Sequence, residues 1–496
     1  MMRWIAVCLA SVLLAACGSK PIASASVAER ELIAAAMMRD IETLASDDFG
    51  GRKPGTLGEE KTLAFLTQRM EQVGLASGTN DPGSEWRAAV PLVSTKPFTS
   101  VVGLRVGRRS YVFAEESSVA FTSRRRALVE RGETVFVGRL GADVTDAMVA
   151  GKVVIMLGEA GESPRRREEL FAKGPAAIIT VVQNDAEIAG LRTAFGNERI
   201  LLESEERLAL SAYATEAVIT RALGKKAWER LLEAADKSDF EPQSLKALAT
   251  VEATSDRREF TSYNVIGKLE GAAPDSGAVL MLAHWDHLGE CGQPSAADRI
   301  CNGAVDNASG LAAMLEVSRR LAASGPHDRD IYVLATSAEE AGLLGAKAFA
   351  QTPPLPLTSF VAAFNFDTSA VAPSGGPVGF IGDGRTAIDG EIKSILQRAN
   401  RTLGDADFAN EFVQRQDGWV LLNEGVPTVL LSTAFASRSV LGPYLDRAYH
   451  SPRDEVAGIE LGGAIDDVLL HEELVRRFAD TKTYQPSPVA GEPLAP

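Results

Sequence analysis

Three apolar runs constrain this chain more than any other feature, because each one breaks directly into ionisable side chains. Val279 to Ala283 runs into His284-Trp285-Asp286-His287, and Ile331 to Ala335 into Thr336-Ser337-Ala338-Glu339-Glu340. Phe360 to Phe364 runs into Asn365-Phe366-Asp367. A short, near-continuous apolar run is the mark of a strand buried on both faces, as in a parallel sheet covered by helices. A further strand is expected at Thr428 to Leu431. Helical spacing fills Gly310 to Ala323, Gly342 to Ala350, Ile388 to Asn400 and Ala464 to Ala479. The fold class expected is α/β, a mostly parallel, doubly wound sheet with helices on both faces. Open sheets of this kind build their sites just past the carboxyl ends of the strands, where the His, Asp and Glu residues fall.

The residue types suit one another. Imidazole with carboxylate is a zinc donor set, and two metals can share a bridging carboxylate at about 3.5–4 Å. Asp306 lies in the small-residue stretch Gly303-Ala304-Val305-Asp306-Asn307-Ala308-Ser309-Gly310, which opens a helix and suits a bridge. His450, in Ala448-Tyr449-His450-Ser451-Pro452-Arg453-Asp454, supplies an imidazole far downstream. His287 reads as loop packing, and His327 and His471 as surface or helix decoration.

A chain of 496 residues exceeds one ordinary core, so two or three domains are expected. The net charge of −15 argues against binding a phosphate backbone, which needs excess Lys and Arg. Ala28 to Ser46 and Gly58 to Val73 have helical spacing, separated by the turn-rich Gly50-Gly51-Arg52-Lys53-Pro54-Gly55. From Lys96 to Lys246 the texture changes to short β-like runs: Val101 to Leu104, Thr134 to Val137, Val153 to Met156 and Ala177 to Val182. The triplets Arg124-Arg125-Arg126 and Arg165-Arg166-Arg167 interrupt them and read as solvated loop or helix faces.

At the N-terminus, Arg3 and the apolar stretch Trp4 to Leu14 precede Leu14-Ala15-Ala16-Cys17-Gly18. The stretch is too short to span a bilayer and resembles a bacterial lipoprotein signal in which Cys17 is acylated. The expected location is therefore an exported lipoprotein of the outer membrane, facing the periplasm or cell surface, held through Cys17 only. Cys291 and Cys301 share one loop, and a structural zinc site there would need about four ligands where only His287 is nearby. A disulfide is the expectation, worth roughly 3 kcal/mol in the chain-entropy model.

The strings Ala283 to Gly289, Gly303 to Gly310, Ala338 to Gly345, Asn365-Phe366-Asp367 and Tyr449 to Pro452 resemble the co-catalytic dizinc exopeptidases. That family includes secreted bacterial aminopeptidases and glutamate carboxypeptidase, with the transferrin receptor ectodomain as a metal-free relative. Leu44 to Arg52 resembles the family's N-terminal segment. The stretch Gly151 to Ile155, a helix near Arg167 to Lys173 and Ala176 to Val182 look like a protease-associated domain, inserted, smaller and β-rich.

The resemblance implies two zinc ions, with His284 and Asp367 on one, Glu340 and His450 on the other, and Asp306 bridging. It implies Glu339 as general base, Asp286 orienting His284, Tyr449 stabilising an oxyanion, and Asp306-Asn307 as a cis peptide. The implied function is a zinc-dependent exopeptidase acting on peptides, an aminopeptidase before a carboxypeptidase or amidohydrolase. A single-zinc glutaminyl cyclase or a metal-free binding relative would not need the full ligand set. Relatives commonly carry Ser-Asp-His where this chain reads Arg415-Gln416-Asp417-Gly418-Trp419, so the shape of the substrate pocket is expected to differ around Trp419.

The resulting organisation is a signal at 1–16, a tether at 17–27 and a first peptidase segment at 28–95. An inserted domain at 96–255, the peptidase core at 256–482 and a Pro-rich tail at 483–496 follow.

Overall fold

The computed structural model describes residues 25–80, 85–139, 143–159, 163–206 and 209–486. The expected signal, Cys17, most of the tether and most of the tail lie outside those residues. No described helix is long and apolar enough to cross a membrane.

The chain divides into two compact units. Among the described residues the larger lies within 25–88, 264–339 and 349–486, the smaller within 89–263 and 340–348. The smaller unit thus reaches past the 96 and 255 expected from sequence. The long strands Arg87–Val106 and Gln243–Leu269 run through both positions.

In the larger unit the parallel strands Thr428–Ser432, Phe360–Asn365, Ala278–His284 and Asp330–Thr336 lie side by side in that order. Antiparallel neighbours close the two edges: Gly379–Ile381 beside Thr428–Ser432, and residues 265–269 beside Asp330–Thr336. Every residue of Ala278–His284 and Asp330–Thr336 is buried, as expected of strands covered on both faces. Helices Val27–Leu44, Gly310–Ala323 and Leu461–Ala479 pack together on one face. On the other, Leu280, Leu282, Leu334 and Phe360 meet Phe349 and Leu421 from helices Leu344–Gln351 and Gly418–Asn423. Fully burying each such side chain contributes about 1.5–3 kcal/mol. The register sets His284 beside Thr336 and Leu282 beside Asn365, so three loops leave the sheet at one edge.

The smaller unit also contains parallel strands. Arg126–Gly138, Val153–Leu157, Ala177–Val182 and Leu210–Thr215 are parallel in that order, flanked by antiparallel Ser118–Thr122 and residues 243–254. Helices accompanying these strands include Asp146–Val149, Ser163–Phe171, Asp185–Phe195, Glu216–Leu223 and Lys225–Ala235. Of the Arg triplets, Arg124 to Arg126 is exposed as expected. The second is not a solvated face throughout, since Arg166 is buried and Arg167 half-buried on helix Ser163–Phe171.

Candidate metal centre

Arg52 holds the backbone of the site together. Its side chain is fully buried and donates to the carbonyls of Leu44 at 2.7 Å, Trp285 at 2.9 Å, Asn302 at 2.6 Å and Gly303 at 3.0 Å. One guanidinium therefore ties the segment before it to the loops carrying His284 and Asp306.

Small residues let the Asp306 loop close up. Gly303 has φ +57°, and a Cβ there would strike the Asp306 carbonyl and the His287 ring; one at Gly310 would strike Asn307 Oδ1. The Asp306-Asn307 peptide is cis. Asp454 clamps this loop from outside, accepting from the amides of Val305 at 2.9 Å and Asp306 at 3.1 Å and from the Tyr444 hydroxyl at 2.9 Å. Ala338 and His450, at the ends of two other site loops, adopt left-handed φ values of 52° and 53°. For residues with a Cβ such conformations persist only where the surroundings enforce them.

Asp306 faces two imidazoles at once. Its Oδ1 is 3.2 Å from His284 Nε2 and its Oδ2 is 3.4 Å from His450 Nε2. Asp367 Oδ1 stands 3.7 Å from the same His284 nitrogen. The side chains of His284, Asp306 and Asp367 all offer ligand atoms within 4.8 Å of one another, an arrangement that can hold a metal ion. Burial opposes charge on both His284 and Asp306, and each favours the charged form of the other. Glu339, Asp306 and Asp367 raise the His284 pKa well above its usual value, and hydrogen bonds from His284 and His450 draw Asp306 well below the carboxylate range.

The remaining expected residues fall around this cluster. His284 Nδ1 meets the Asp286 backbone oxygen at 3.1 Å, while the Asp286 carboxylate stands 3.9 Å away. That carboxylate instead accepts the Glu339 amide at 3.0 Å, fixing the loop that carries the expected base. Glu340 is the next residue and opens the 340–348 segment of the smaller unit. Tyr449 stacks on His450 with ring centres 3.7 Å apart, and its hydroxyl accepts from Arg415 at 3.3 Å.

His284, Asp306, Glu339, Asp367, Arg415, Gln416 and Tyr449 line one pocket, whose other walls include Ile381, Phe412, Leu430, Phe435, Leu441 and Leu445.

Several placements depart from the sequence reading. Gln416 rather than Trp419 lines the pocket: its side-chain oxygen accepts from Asn365 at 2.8 Å and from the Gly418 amide at 2.8 Å. Trp419 packs outside it, against the apolar cluster of Val305, Ile381 and Phe435. Asp417 is buried, accepts from the Thr336 hydroxyl, and is pushed up to about 6 by burial. His287 is more than loop packing. It is buried with a ligand atom within 4.8 Å of one from Asp306, and its ring centre is 5.9 Å from that of His450. His471 lies on a helix as expected but is 1 % exposed, its ring 4.4 Å from that of Phe366. Asp454 had no sequence signal beyond its nearness to His450. Cys291 and Cys301 are paired as a disulfide, with Cα atoms 5.8 Å apart.

A parallel sheet whose carboxyl edge gathers imidazoles and carboxylates beside a partly apolar pocket is a layout suited to metal-assisted hydrolysis. Residues 264–468, which contain every expected site residue, match Peptidase family M28. Among solved structures, the aminopeptidase from Aneurinibacillus sp. strain AM-1 shares its fold, with a TM-score of 0.53 and 17% identity over 92% of this chain and 96% of that one. BSAP, a zinc aminopeptidase from Bacillus subtilis, has 18% identity over 92% and 97% with a TM-score of 0.46. The peptidase M28 precursor from Shewanella amazonensis SB2B has 15% over 93% and 99% with a TM-score of 0.44. No curated protein sequence matched the chain.

Proposed function

We propose that this M28 peptidase is a zinc-dependent aminopeptidase of two metal ions. The observation that carries the reading is Asp306, whose two carboxylate oxygens address His284 and His450 separately, as a carboxylate shared between two ions would. His284 and Asp367 would hold one zinc, His450 and Glu340 the other. Mixed imidazole and carboxylate donors fit zinc, which when bound supplies a Lewis acid that polarises the peptide carbonyl and acidifies water.

The chain's own residues do the rest. Glu339, positioned through its amide by Asp286, takes the proton from the attacking water and returns it to the leaving amine. The Tyr449 hydroxyl accepts from Arg415, which leaves its own proton to donate to the oxygen of the tetrahedral species. A protonated α-amino group suits the carboxylates of Glu339 and Asp367, and the apolar walls suit an apolar first side chain. Glu339→Gln should keep its zinc and lose kcat by about 10² to 10⁴. Near-wild-type turnover in that variant, or zinc loss as large as in Glu340→Ala, would refute the assignment.

Carboxypeptidase action is the second reading, because Arg415 lines the pocket and arginine is the usual receptor for a terminal carboxylate. Hydrolysis of one peptide with its N-terminus acetylated or its C-terminus amidated separates the two. Loss of cleavage on acetylation supports the aminopeptidase; loss on amidation alone replaces it.

The proposal extends to export as a lipoprotein acylated at Cys17. A Cys17→Ser chain that still partitions fully with membranes would remove that part.

A further inference from the structure

The smaller unit contains a cleft of about 760 Å³, within the size range of ligand sites. Helices Ser163–Phe171 and Asp185–Phe195 flank it, with Phe171, Val182, Leu191 and Phe195 among its apolar walls. One cation reaches into it. Arg167 donates to Ser211 Oγ at 2.7 Å and to the Tyr213 hydroxyl, with its guanidinium carbon 4.8 Å from the centre of that ring. Both acceptors are neutral, and Arg167 Nε is buried with no acceptor. Its neighbours differ: Arg165 and Arg166 each reach Glu169, at 3.5 and 3.4 Å. Among the described residues no carboxylate stands within ion-pair distance of Arg167, and the neighbouring Glu168 acts on its charge only through space. Burial lowers its pKa to about 10, so it stays charged at neutral pH.

A second polar group waits in the same cleft. The Thr180 hydroxyl lines it, is 1 % exposed and has no hydrogen-bond partner. A desolvated cation with no anion hydrogen-bonded to it, beside an unused hydroxyl and between apolar walls, is costly unless something completes it. The missing group is an anion that accepts several hydrogen bonds and carries an apolar body. At the rim, Glu168 and Glu187 are exposed carboxylates that line the cleft. They suit backbone N–H donors and disfavour a purely aliphatic anion, whose chain offers them nothing.

We infer that this cleft is a peptide-binding site, in which Arg167 and Thr180 receive the C-terminal carboxylate of a peptide ending in apolar residues. The site is separate from the metal centre and does not depend on which end of a peptide that centre cleaves.

The test uses the full chain and fluorescein-labelled Gly-Gly-Gly-Leu-Phe, as the free acid and as the C-terminal amide. Binding is read by anisotropy, with mass spectrometry confirming the peptide intact at the end. The free acid is expected to bind at least roughly tenfold more tightly than the amide, the usual consequence of removing a charge-assisted pair. Arg167→Met should abolish that preference and Thr180→Val should reduce it, while Arg415→Met, altered in the catalytic pocket, should leave it unchanged. Ala194→Trp, which fills the cleft from an exposed helix position, should block binding without burdening the fold, and it decides the matter if Arg167→Met does not fold. Equal binding of acid and amide, undetectable binding, or full binding by Ala194→Trp would each overturn the proposal. So would a preference lost in Arg415→Met but kept in Arg167→Met, or binding of hexadecanoate with no binding of the peptide.

Discussion

Arg52 and Arg167 are both withdrawn from water, and their surroundings are opposite. Arg52 sits among backbone carbonyls, four of them within 3.0 Å, and that of Gly303 also accepts from the Ala308 amide at 3.2 Å. Arg167 has two neutral hydroxyls and a buried Nε with no acceptor. A buried charge saturated by the chain is structural, whereas one left partly unsaturated at the floor of a cleft is available to a ligand. The first fixes loops; the second waits for an anion.

That contrast is open to direct attack. Arg52→Met removes a shared donor from four carbonyls, of which that of Gly303 keeps the Ala308 amide, and should cost roughly 3–5 kcal/mol of stability. Activity should fall with it, because the His284 and Asp306 loops lose their common anchor. Arg167→Met should change stability by no more than about 1 kcal/mol, since only hydroxyl contacts are lost and a desolvated charge is removed. Urea denaturation of both variants checks this, and equal losses would erase the distinction.

A buried imidazole sharpens the comparison through pH. Burial holds His471 down at about 4, against a backbone hydrogen bond to Asp467 that favours its charge. Between pH 4 and 6.5 the unfolded chain binds a proton at this residue that the folded chain does not. Stability from His471 is therefore present above 6.5 and lost as pH falls toward 4. The stability difference between wild type and His471→Gln should accordingly shrink on acidification, on the order of 3 kcal/mol across the window. A difference that does not vary with pH would show His471 titrating normally.

The smallest effect concerns the Asp306 loop. Tyr444→Phe removes one hydrogen bond to Asp454 while two amides still hold that carboxylate. The expected cost is about 1 kcal/mol in stability with zinc content unchanged. Loss of zinc in this variant would mean that Tyr444 and Asp454 position Asp306 more strongly than the two amides do.

The sequence by itself determined the parallel strands, the helices between them and the clustering of His284, Asp306, Asp367 and Glu339. Strands buried on both faces must be apolar throughout, so a sudden His or Asp marks where the sheet ends and the site begins. The Gly303 to Gly310 stretch was legible for a similar reason, since only small residues permit so close a backbone approach. What needed the tertiary structure was the partner of each polar side chain. Gly50-Gly51-Arg52 read as a turn, and nothing local announces that Arg52 gathers carbonyls more than 200 residues away. The same limit hid Asp454 behind the Asp306 loop, placed Gln416 rather than Trp419 in the pocket and buried His471. It also made Arg165-Arg166-Arg167 look like one solvated run. Periodicity reports which face of an element is apolar, but the meaning of a buried charge depends on what stands opposite it, and folding alone brings those groups together.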